Sequence, residues 1–443
     1  MSSRSPSGPA ARTRFGVWVA DFYRYALRSD FVRKVAETYA TRVGLIALGL
    51  VTSVLITRSL GPERRGFFAA ALAISAIGAQ LGNLGLHAAN TYSVARNREL
   101  LGTLLGNSLV VGLGITSLGA LLAWVAFAVW PQAAPVSGIL LAVALLAVPL
   151  HVMHTHQKAL LLGLQQVRTI NWTNLGQQIL ATVLIVALVL AGVVTPETVL
   201  VLYVSSLALA NLVLYVRIRN HPASRVRVSW QTLKGCLSYG ARAYIAALFS
   251  YLVIKSDILM VQYFLGPEQV GYYSLAATLS EQMYLFAAIV GMIVFSKMSA
   301  LEDSAHKLRL IERTVLGLAG IMLVGGLLAG ILADPVIVLL YGEAFRPAVR
   351  IFLFLIPAVF ALSLNQVYQN YFASIGFPLI AVASPIAGAL LNLGLNAILL
   401  PSIGVIGAAL ASIAAYSFML LCSLFYVYVL GRKKRMRAGE DSK

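Results

Sequence analysis

Long apolar segments dominate this sequence, and their number constrains the fold more than any other feature. A helix needs about 20 mostly apolar residues to cross a bilayer. Proline, glycine and charged clusters divide the chain into twelve segments of that kind, with short loops between them. We therefore predict an all-α polytopic membrane protein with about twelve transmembrane helices, called spans one to twelve below. Their cores lie at 40–59, 67–93, 102–129, 137–160, 172–193, 197–216, 239–263, 270–296, 312–340, 348–373, 378–399 and 403–430.

The composition agrees with a membrane protein. Of 443 residues, 59% are hydrophobic and only 11% are charged, whereas about 25% of a soluble domain is charged. The two cysteines, Cys236 and Cys422, have no paired Cys or His spacing, so we predict neither a disulfide framework nor a zinc site. No cleavable signal peptide is visible, and span one is expected to act as an uncleaved anchor.

The basic residues alternate between the two ends of successive spans. One end carries the basic residues of both tails and of the loops after spans two, four, six and eight, whereas the other carries Arg58, Arg64, Arg65, Arg346 and Arg350. Short basic loops remain in the cytoplasm, so we predict a protein of the cell inner membrane with both termini cytoplasmic. The net charge of +18 is then mainly a topology signal, with attraction to anionic lipids as a second effect. Nucleic-acid binding is not predicted, because the basic residues are dispersed over many loops.

The loops and tails suggest five regions. Residues 1–38 form a cytoplasmic tail in which 15–37 read as an interfacial amphipathic helix. Two six-helix lobes, 39–216 and 239–430, are joined by a cytoplasmic connector at 217–238, and a basic tail follows at 431–443.

One short stretch occurs twice. "SLGPERRGFF" at 59–68 and "FLGPEQVGYY" at 264–273 share one frame at a distance of 205 residues, each at the first joint of a lobe. Glycine just past a helix end favours a left-handed cap, proline favours the first position of the next helix, and glutamate suits its positive end. We predict two matching helical hairpins, and hence two parallel pseudo-symmetric lobes around a central cavity. Transporters built this way expose a substrate between the lobes to each side in turn.

These stretches and their surroundings, 56–97 and 256–284, resemble the oligosaccharide or O-antigen flippases of bacterial polysaccharide export. That family belongs to a superfamily that also contains lipid II flippases and multidrug exporters. The segment at 161–175 is also similar to the family. The resemblance implies a two-lobed fold that moves an undecaprenyl-diphosphate-linked glycan from the inner to the outer leaflet. It says little about which glycan.

Three ionisable residues lie inside spans seven and eight. Lys255 and Asp257 are two residues apart and point to different helix faces, whereas Glu281 in span eight can meet Lys255 across the hairpin. One hypothesis is that Lys255 holds the lipid diphosphate while Asp257 or Glu281 handles a coupling cation or proton. The alternative is a buried ion pair that only locks the two spans together. The corresponding positions of the first lobe are Leu50 and Thr52.

Two further arginines are candidate phosphate ligands. Arg42 and Arg242 lie in the first turns of spans one and seven. Arginine suits bidentate phosphate contact, so both side chains can receive a diphosphate that enters from the inner leaflet. Alternatively, both side chains extend to the lipid headgroups. Arg64 and Arg65 are expected to face the outside.

Polar residues in other spans are candidates for the cavity wall. Asn174 and Gln178 in span five, and Asn365 and Gln369 in span ten, offer hydrogen bonds to sugars or headgroups. The alternative is that they hydrogen-bond neighbouring helices. His151 and His154 share a helix face, but no third metal ligand is nearby and a metal site is not predicted.

Three functional classes remain after these observations. A lipid-linked oligosaccharide flippase explains the repeat, the cationic and amide side chains and the short outer loops. A drug or cation exporter of the same fold would use a mainly acidic and apolar pocket, and a membrane-bound polymerase or glycosyltransferase would need a substantial outer loop. We therefore predict a transporter rather than an enzyme, without a cofactor, with possible use of a proton or sodium gradient. Its predicted partners are the lipid-linked glycan, anionic lipids and polysaccharide polymerase machinery.

Overall fold

The computed structural model describes residues 30–301 and 304–440, and within these ranges the chain is helical with short connections and no β-strand. The described helices are α1 (Asp30–Gly82), α2 (Leu86–Arg96), α3 (Leu101–Leu109), α4 (Thr116–Val129), α5 (Gly138–Gly163), α6 (Val167–Ala191), α7 (Pro196–Arg219), α8 (Trp230–Leu265), α9 (Pro267–Ala300), α10 (Ser304–Tyr341), α11 (Pro347–Ser374), α12 (Ile380–Ile403) and α13 (Ile406–Glu440). Spans four to twelve correspond to α5 to α13.

The predicted all-α membrane fold is confirmed. Eleven helical segments of the described chain are long and apolar enough to cross a membrane. One of them, Thr41–Gly82, has 42 residues, and a straight helix of that length would extend about 63 Å, roughly twice the hydrocarbon thickness. The chain bends at Gly61, where φ is 72° and ψ is 177°. This segment therefore contains spans one and two, so the described residues contain twelve spans.

Spans two and three are interrupted within the first lobe. Span two breaks after Gly82, where Leu84 and Gly85 have positive φ values of 50° and 74°, and resumes as α2. Span three contains a π-helical segment, Val110–Ile115, between α3 and α4. Such interruptions free backbone groups for contacts with other side chains. At the break in span two, His156 Nε2 of α5 lies 3.3 Å from the Asn83 carbonyl oxygen and 3.1 Å from its Oδ1.

The connector and the tails differ from the predicted boundaries. The loop between the lobes covers only residues 220–229, because α8 already begins at Trp230. Ser229 accepts a hydrogen bond from the Thr232 amide as the cap of α8, and its own amide donates to Asn107 Oδ1 of α3 at 3.0 Å. Most of the predicted interfacial helix lies outside the described residues; from Asp30 the chain is helical into span one. At the other end, α13 extends through the predicted basic tail to Glu440.

The two hairpins contact each other at one face of the bundle, which we call the hairpin face. Gly61 and Gly266 have φ values of 72° and 84° with ψ near 180°, a conformation open essentially to glycine alone. The predicted positive φ is thus present, but the extended ψ differs from a left-handed cap. Pro62 then follows the bend within α1, and Pro267 begins α9.

A reciprocal contact joins the two copies of the repeat. A Cβ atom added at Gly66 would overlap the backbone carbonyl of Pro267, and one added at Gly271 would overlap that of Pro62. The second glycine of each copy therefore lies directly against the proline carbonyl of the other copy. Arg58 Nε also donates to the Leu340 carbonyl of α10 at 2.8 Å, which is another link between the lobes at this face.

The lobes also meet at the opposite face, which carries most of the basic loops and is called the basic face below. Tyr244 of α8 donates its hydroxyl hydrogen to the Leu81 carbonyl at 2.8 Å, and Tyr239 stacks on Tyr92 of α2 with 4.9 Å between ring centroids. Span seven thus contacts span two near the basic face. Between the two faces, Ala73 of span two packs into the hydrophobic core of the second lobe.

Candidate functional site

The predicted partner of Lys255 is present. The hairpin at Gly266 turns α9 back along α8, which brings Lys255 Nζ to 2.6 Å from Glu281 Oε1. The two side chains are 24% and 34% exposed, respectively. An ion pair that retains this exposure at the depth of the membrane interior lies beside a cavity rather than in a sealed core.

Two cavities meet at this ion pair, and both are lined by Tyr251, Lys255 and Glu281. The larger, of about 590 Å³, extends toward the basic face between α8, α9 and α11, and we call it the basic-face cavity. The smaller, of about 200 Å³, extends toward the hairpins between span two, α8 and α9, and we call it the hairpin-face cavity. The ion pair therefore lies at the junction of the two cavities.

Amide side chains line one wall of the basic-face cavity. Gln366, Gln369 and Asn370 project from successive turns of α11, and Gln282 of α9 joins them. Tyr284 donates its hydroxyl hydrogen to Gln366 Oε1 at 2.7 Å, which fixes that amide. Asn365, one of the predicted wall residues, points elsewhere: it is 2% exposed and accepts a hydrogen bond from Ser423 Oγ at 2.8 Å.

Asp257 lies in a separate buried cluster of oxygen and amide groups. Its carboxylate accepts hydrogen bonds from the Tyr273 hydroxyl at 2.6 Å, from Ser412 Oγ at 2.7 Å and from Asn396 Nδ2 at 2.8 Å. Asp257 and Asn396 are both fully buried, and Asn396 Oδ1 has no hydrogen-bond partner among the described residues. No cation lies within ion-pair distance of Asp257 in the described chain, so three neutral donors stabilise this carboxylate.

The first lobe carries a neutral version of the same arrangement. Thr52, which corresponds to Asp257 in the repeat, shares a hydrogen bond of 2.8 Å with Thr182 and accepts one from Gln178 at 3.3 Å, both on α6. Asn174 Oδ1, one turn away, lies 3.3 Å from His154 Nε2 of α5. Asn174 and Gln178 thus pair with neighbouring helices of their own lobe.

Neither predicted arginine belongs to the site around Lys255. Arg42 is half-buried and Arg242 is exposed, and among the described residues neither lines the two cavities at Lys255. Arg64 is exposed as predicted, but the outward orientation predicted for Arg65 is wrong. Its side chain turns into the protein, where it is 6% exposed, donates to the Thr57 hydroxyl and lines the hairpin-face cavity.

Several residues of these clusters were missed by sequence reasoning. Asn392 and Asn396 are four residues apart in span eleven, a spacing that places both on one helix face. That signal indicates a shared polar contact within the membrane but not its partner. No local sequence pattern marks Tyr273 and Ser412 as partners of Asp257, because their contacts form between helices that are distant in sequence.

The chain is similar to proteins of polysaccharide biosynthesis. The sequence profile of a family described as polysaccharide biosynthesis protein matches residues 55–350. A probable low-salt glycan biosynthesis flippase of Haloferax volcanii is 23% identical over 43% of this chain, and an uncharacterized membrane protein of Methanocaldococcus jannaschii is 27% identical over 46% of it. The matched segments span 41% of the length of each of these curated relatives.

Solved structures share the fold. The lipid II flippase MurJ in an inward closed conformation is 15% identical, with 90% of this chain and 87% of that chain covered at a TM-score of 0.71. An inward-facing multidrug resistance transporter of the MATE family and MOP superfamily is also 15% identical, with 88% and 96% covered at a TM-score of 0.67. Because the family profile covers more than half of the sequence, the resemblance noted above is confirmed: the chain belongs to the polysaccharide biosynthesis protein family, on the fold of the MOP-superfamily transporters.

Proposed function

We propose that this protein is a flippase that moves a polyprenyl-diphosphate-linked oligosaccharide, of the undecaprenyl class, from the inner to the outer leaflet of the cytoplasmic membrane. The observation that carries the proposal is the partly exposed Lys255 at the junction of the two cavities, next to a wall of amides. The ammonium group donates up to three hydrogen bonds to phosphate oxygens. Gln366, Gln369 and Asn370 supply donors and acceptors for sugar hydroxyls.

The proposed route runs from the basic face, which we place toward the cytoplasm, to the hairpin face. Cargo enters the basic-face cavity, reaches Lys255 and leaves past the hairpins. In the arrangement described here the hairpin face is held by the contacts of Gly66 with Pro267 and of Gly271 with Pro62. The lobes must separate there for release. No covalent step is involved.

Glu281 favours one second candidate, an exporter of organic cations on the same fold. A partly exposed carboxylate in a cavity attracts cationic cargo. A multidrug resistance transporter of the MATE family also shares the fold of this chain. However, Lys255 neutralises Glu281 at 2.6 Å, and the only other ionised group in the lining of the hairpin-face cavity within the described chain is the cation Arg65. The local charge therefore favours an anionic headgroup. Within the glycan-lipid class, lipid II remains an alternative cargo.

The proposal predicts which lipid accumulates when the protein is absent. In a deletion strain, mass spectrometry of membrane lipids should show a polyprenyl diphosphate that carries a complete oligosaccharide unit, at a level that falls when the gene is restored. Identification of that glycan would also separate lipid II from other cargo. An unchanged lipid profile, together with new sensitivity to cationic drugs, would favour the exporter instead.

We further propose Asp257 as the group through which a sodium or proton gradient drives transport. It is a buried carboxylate on a helix that also carries Lys255, two residues away, so a change in its charge state acts on the helix that lines the cavity. The substitution Asp257→Asn keeps the shape of the side chain and removes its charge. The hydrogen bonds of Tyr273 and Ser412 can then rearrange around the neutral amide. We expect this variant to fold and to lose the stimulation of transport by the gradient.

The measurement is translocation of the lipid-linked cargo between the leaflets of proteoliposomes, with an imposed sodium or pH gradient and without one. Ser256→Ala is the matched control, because Ser256 is a buried neighbour whose hydroxyl has no hydrogen-bond partner among the described residues. It should respond to the gradient like the wild type. If Asp257→Asn responds equally, Asp257 is not the coupling group.

A further inference from the structure

Arg65 is a buried cation whose presence is not explained by packing. It occupies the sixth position of the first hairpin repeat frame, Leu60–Gly66. The corresponding residue of the second copy is Val270, which is fully buried in the core of the second lobe. The second hairpin therefore forms with an apolar residue at this position. Folding of the hairpin does not explain the arginine in the first copy.

The hydrogen bonding of Arg65 is incomplete. Its side chain donates to the Thr57 hydroxyl, while its Nε is buried without a partner in the described chain. No carboxylate lies within ion-pair distance of Arg65 among the described residues. Burial of an unpaired, partly unsatisfied charge is destabilising, and such groups in native proteins call for a role beyond stability.

Arg65 is part of the lining of the hairpin-face cavity. This cavity of about 200 Å³ is lined by Arg65, by the ion pair of Lys255 with Glu281, and by Ser274 and Thr278. The ionised groups of its lining sum to one positive charge. Because arginine presents a rigid fork of donors that matches phosphate oxygens, the chemistry of this cavity suits a phosphate-bearing anion.

The two cations lie at different depths. Lys255 precedes the hairpin glycine Gly266 by eleven residues, which at 1.5 Å per residue places it about 16 Å inward along α8. Arg65 follows its own hairpin glycine, Gly61, by only four residues, or about 6 Å. A charged headgroup that leaves Lys255 toward the hairpin face therefore meets Arg65 next.

We infer that Arg65 is the principal ligand of a second anion-binding site, in the hairpin-face cavity, which receives the diphosphate of the cargo after Lys255 and before release at the hairpin face. This inference rests on the proposed function for the identity of the cargo. The presence of an anion site is inferred from the cavity and its charged residues alone. The site is asymmetric between the lobes, since Val270 provides no counterpart.

The test uses inorganic pyrophosphate as the probe and the full chain in lipid nanodiscs, with calorimetric titration. Arg65→Val, which copies the residue of the second repeat, should weaken pyrophosphate binding by about tenfold or more, because a charge-assisted contact is lost. Arg64→Val is the matched control, since it removes the exposed neighbouring charge. The pyrophosphate affinity of this variant should stay within twofold of that of the wild type. Arg65→Lys should recover part of the loss.

Thermal unfolding separates a binding role from a structural one. Arg65→Val should melt at or above the wild-type temperature, because it removes a buried unsatisfied charge. Wild-type affinity in Arg65→Val, or no pyrophosphate binding by the wild type, would overturn the inference. Because no glycan is used, this outcome is distinct from failure of the flippase proposal, which would appear as an unchanged lipid profile in the deletion strain.

Discussion

Replacement of Gly66 by alanine is expected to force the hairpin face open. The added methyl group would overlap the backbone carbonyl of Pro267, and a carbonyl at the start of a helix cannot move away like a flexible side chain. Overpacking of this kind destabilises a packed arrangement by about 1–3 kcal/mol, which corresponds to a shift of about 5- to 150-fold between the closed and open hairpin faces. Gly271→Ala should act in the same direction through Pro62.

The measurement is the labelling of Ala277→Cys, a reporter in the hairpin-face cavity, in a background without the native cysteines. A membrane-impermeant maleimide applied from the hairpin face should label the reporter faster when Gly66→Ala is present. Gly49→Ala is the control, because Gly49 lies in the same helix with open space around it; it should leave labelling unchanged and slightly raise stability. Equal labelling in Gly66→Ala and Gly49→Ala would show that the reciprocal contact does not hold the face closed.

Replacement of Lys255 by glutamine is expected to abolish transport of the glycan while the protein still reaches the membrane. The ammonium group is the proposed ligand of the diphosphate, and loss of a hydrogen bond to a charged group weakens binding by about 1.5–3 kcal/mol. Glu281 would also remain as an unpaired carboxylate in the cavity and repel the anionic cargo. Transport and the amount of folded protein in the membrane should be measured together.

A double variant distinguishes a binding role of Lys255 from a purely structural one. If the pair with Glu281 only locks α8 against α9, Lys255→Gln combined with Glu281→Gln removes both charges and should restore transport as well as stability. If Lys255 binds the diphosphate, the double variant should regain stability but remain inactive. Recovery of transport in the double variant would therefore contradict the assignment of Lys255.

The architecture could be predicted from the sequence because the bilayer allows few backbone structures to span it. Apolar segments of suitable length must be helices, and the repeat of the Leu-Gly-Pro-Glu frame predicted the relation of the two lobes and the two hairpins. It did not predict that Gly66 and Gly271 contact the opposite proline carbonyls. That contact depends on how the lobes pack, and the same frame is compatible with hairpins that lie apart.

The site was less predictable for a related physical reason. Lys255 and Glu281 could be paired from the sequence because one hairpin connects their helices. Asp257 has its partners on α9, α12 and α13, and no local pattern links Tyr273, Asn396 and Ser412. Arg65 was misplaced because a charged residue beside an exposed one in a polar hairpin is ordinarily solvated. Here the helix after Pro62 turns successive side chains by about 100°, so Arg64 faces outward and Arg65 inward.

The most direct test of the account is translocation of a defined lipid-linked glycan by the purified protein. Proteoliposomes that contain a short-chain polyprenyl diphosphate oligosaccharide can be probed with an impermeant glycan-modifying enzyme, which reports the fraction of cargo in the outer leaflet over time. We predict that the wild type exchanges the cargo between leaflets and that Lys255→Gln does not, with equal amounts of folded protein. Exchange at the rate of protein-free vesicles by the wild type, or undiminished exchange by Lys255→Gln, would contradict it.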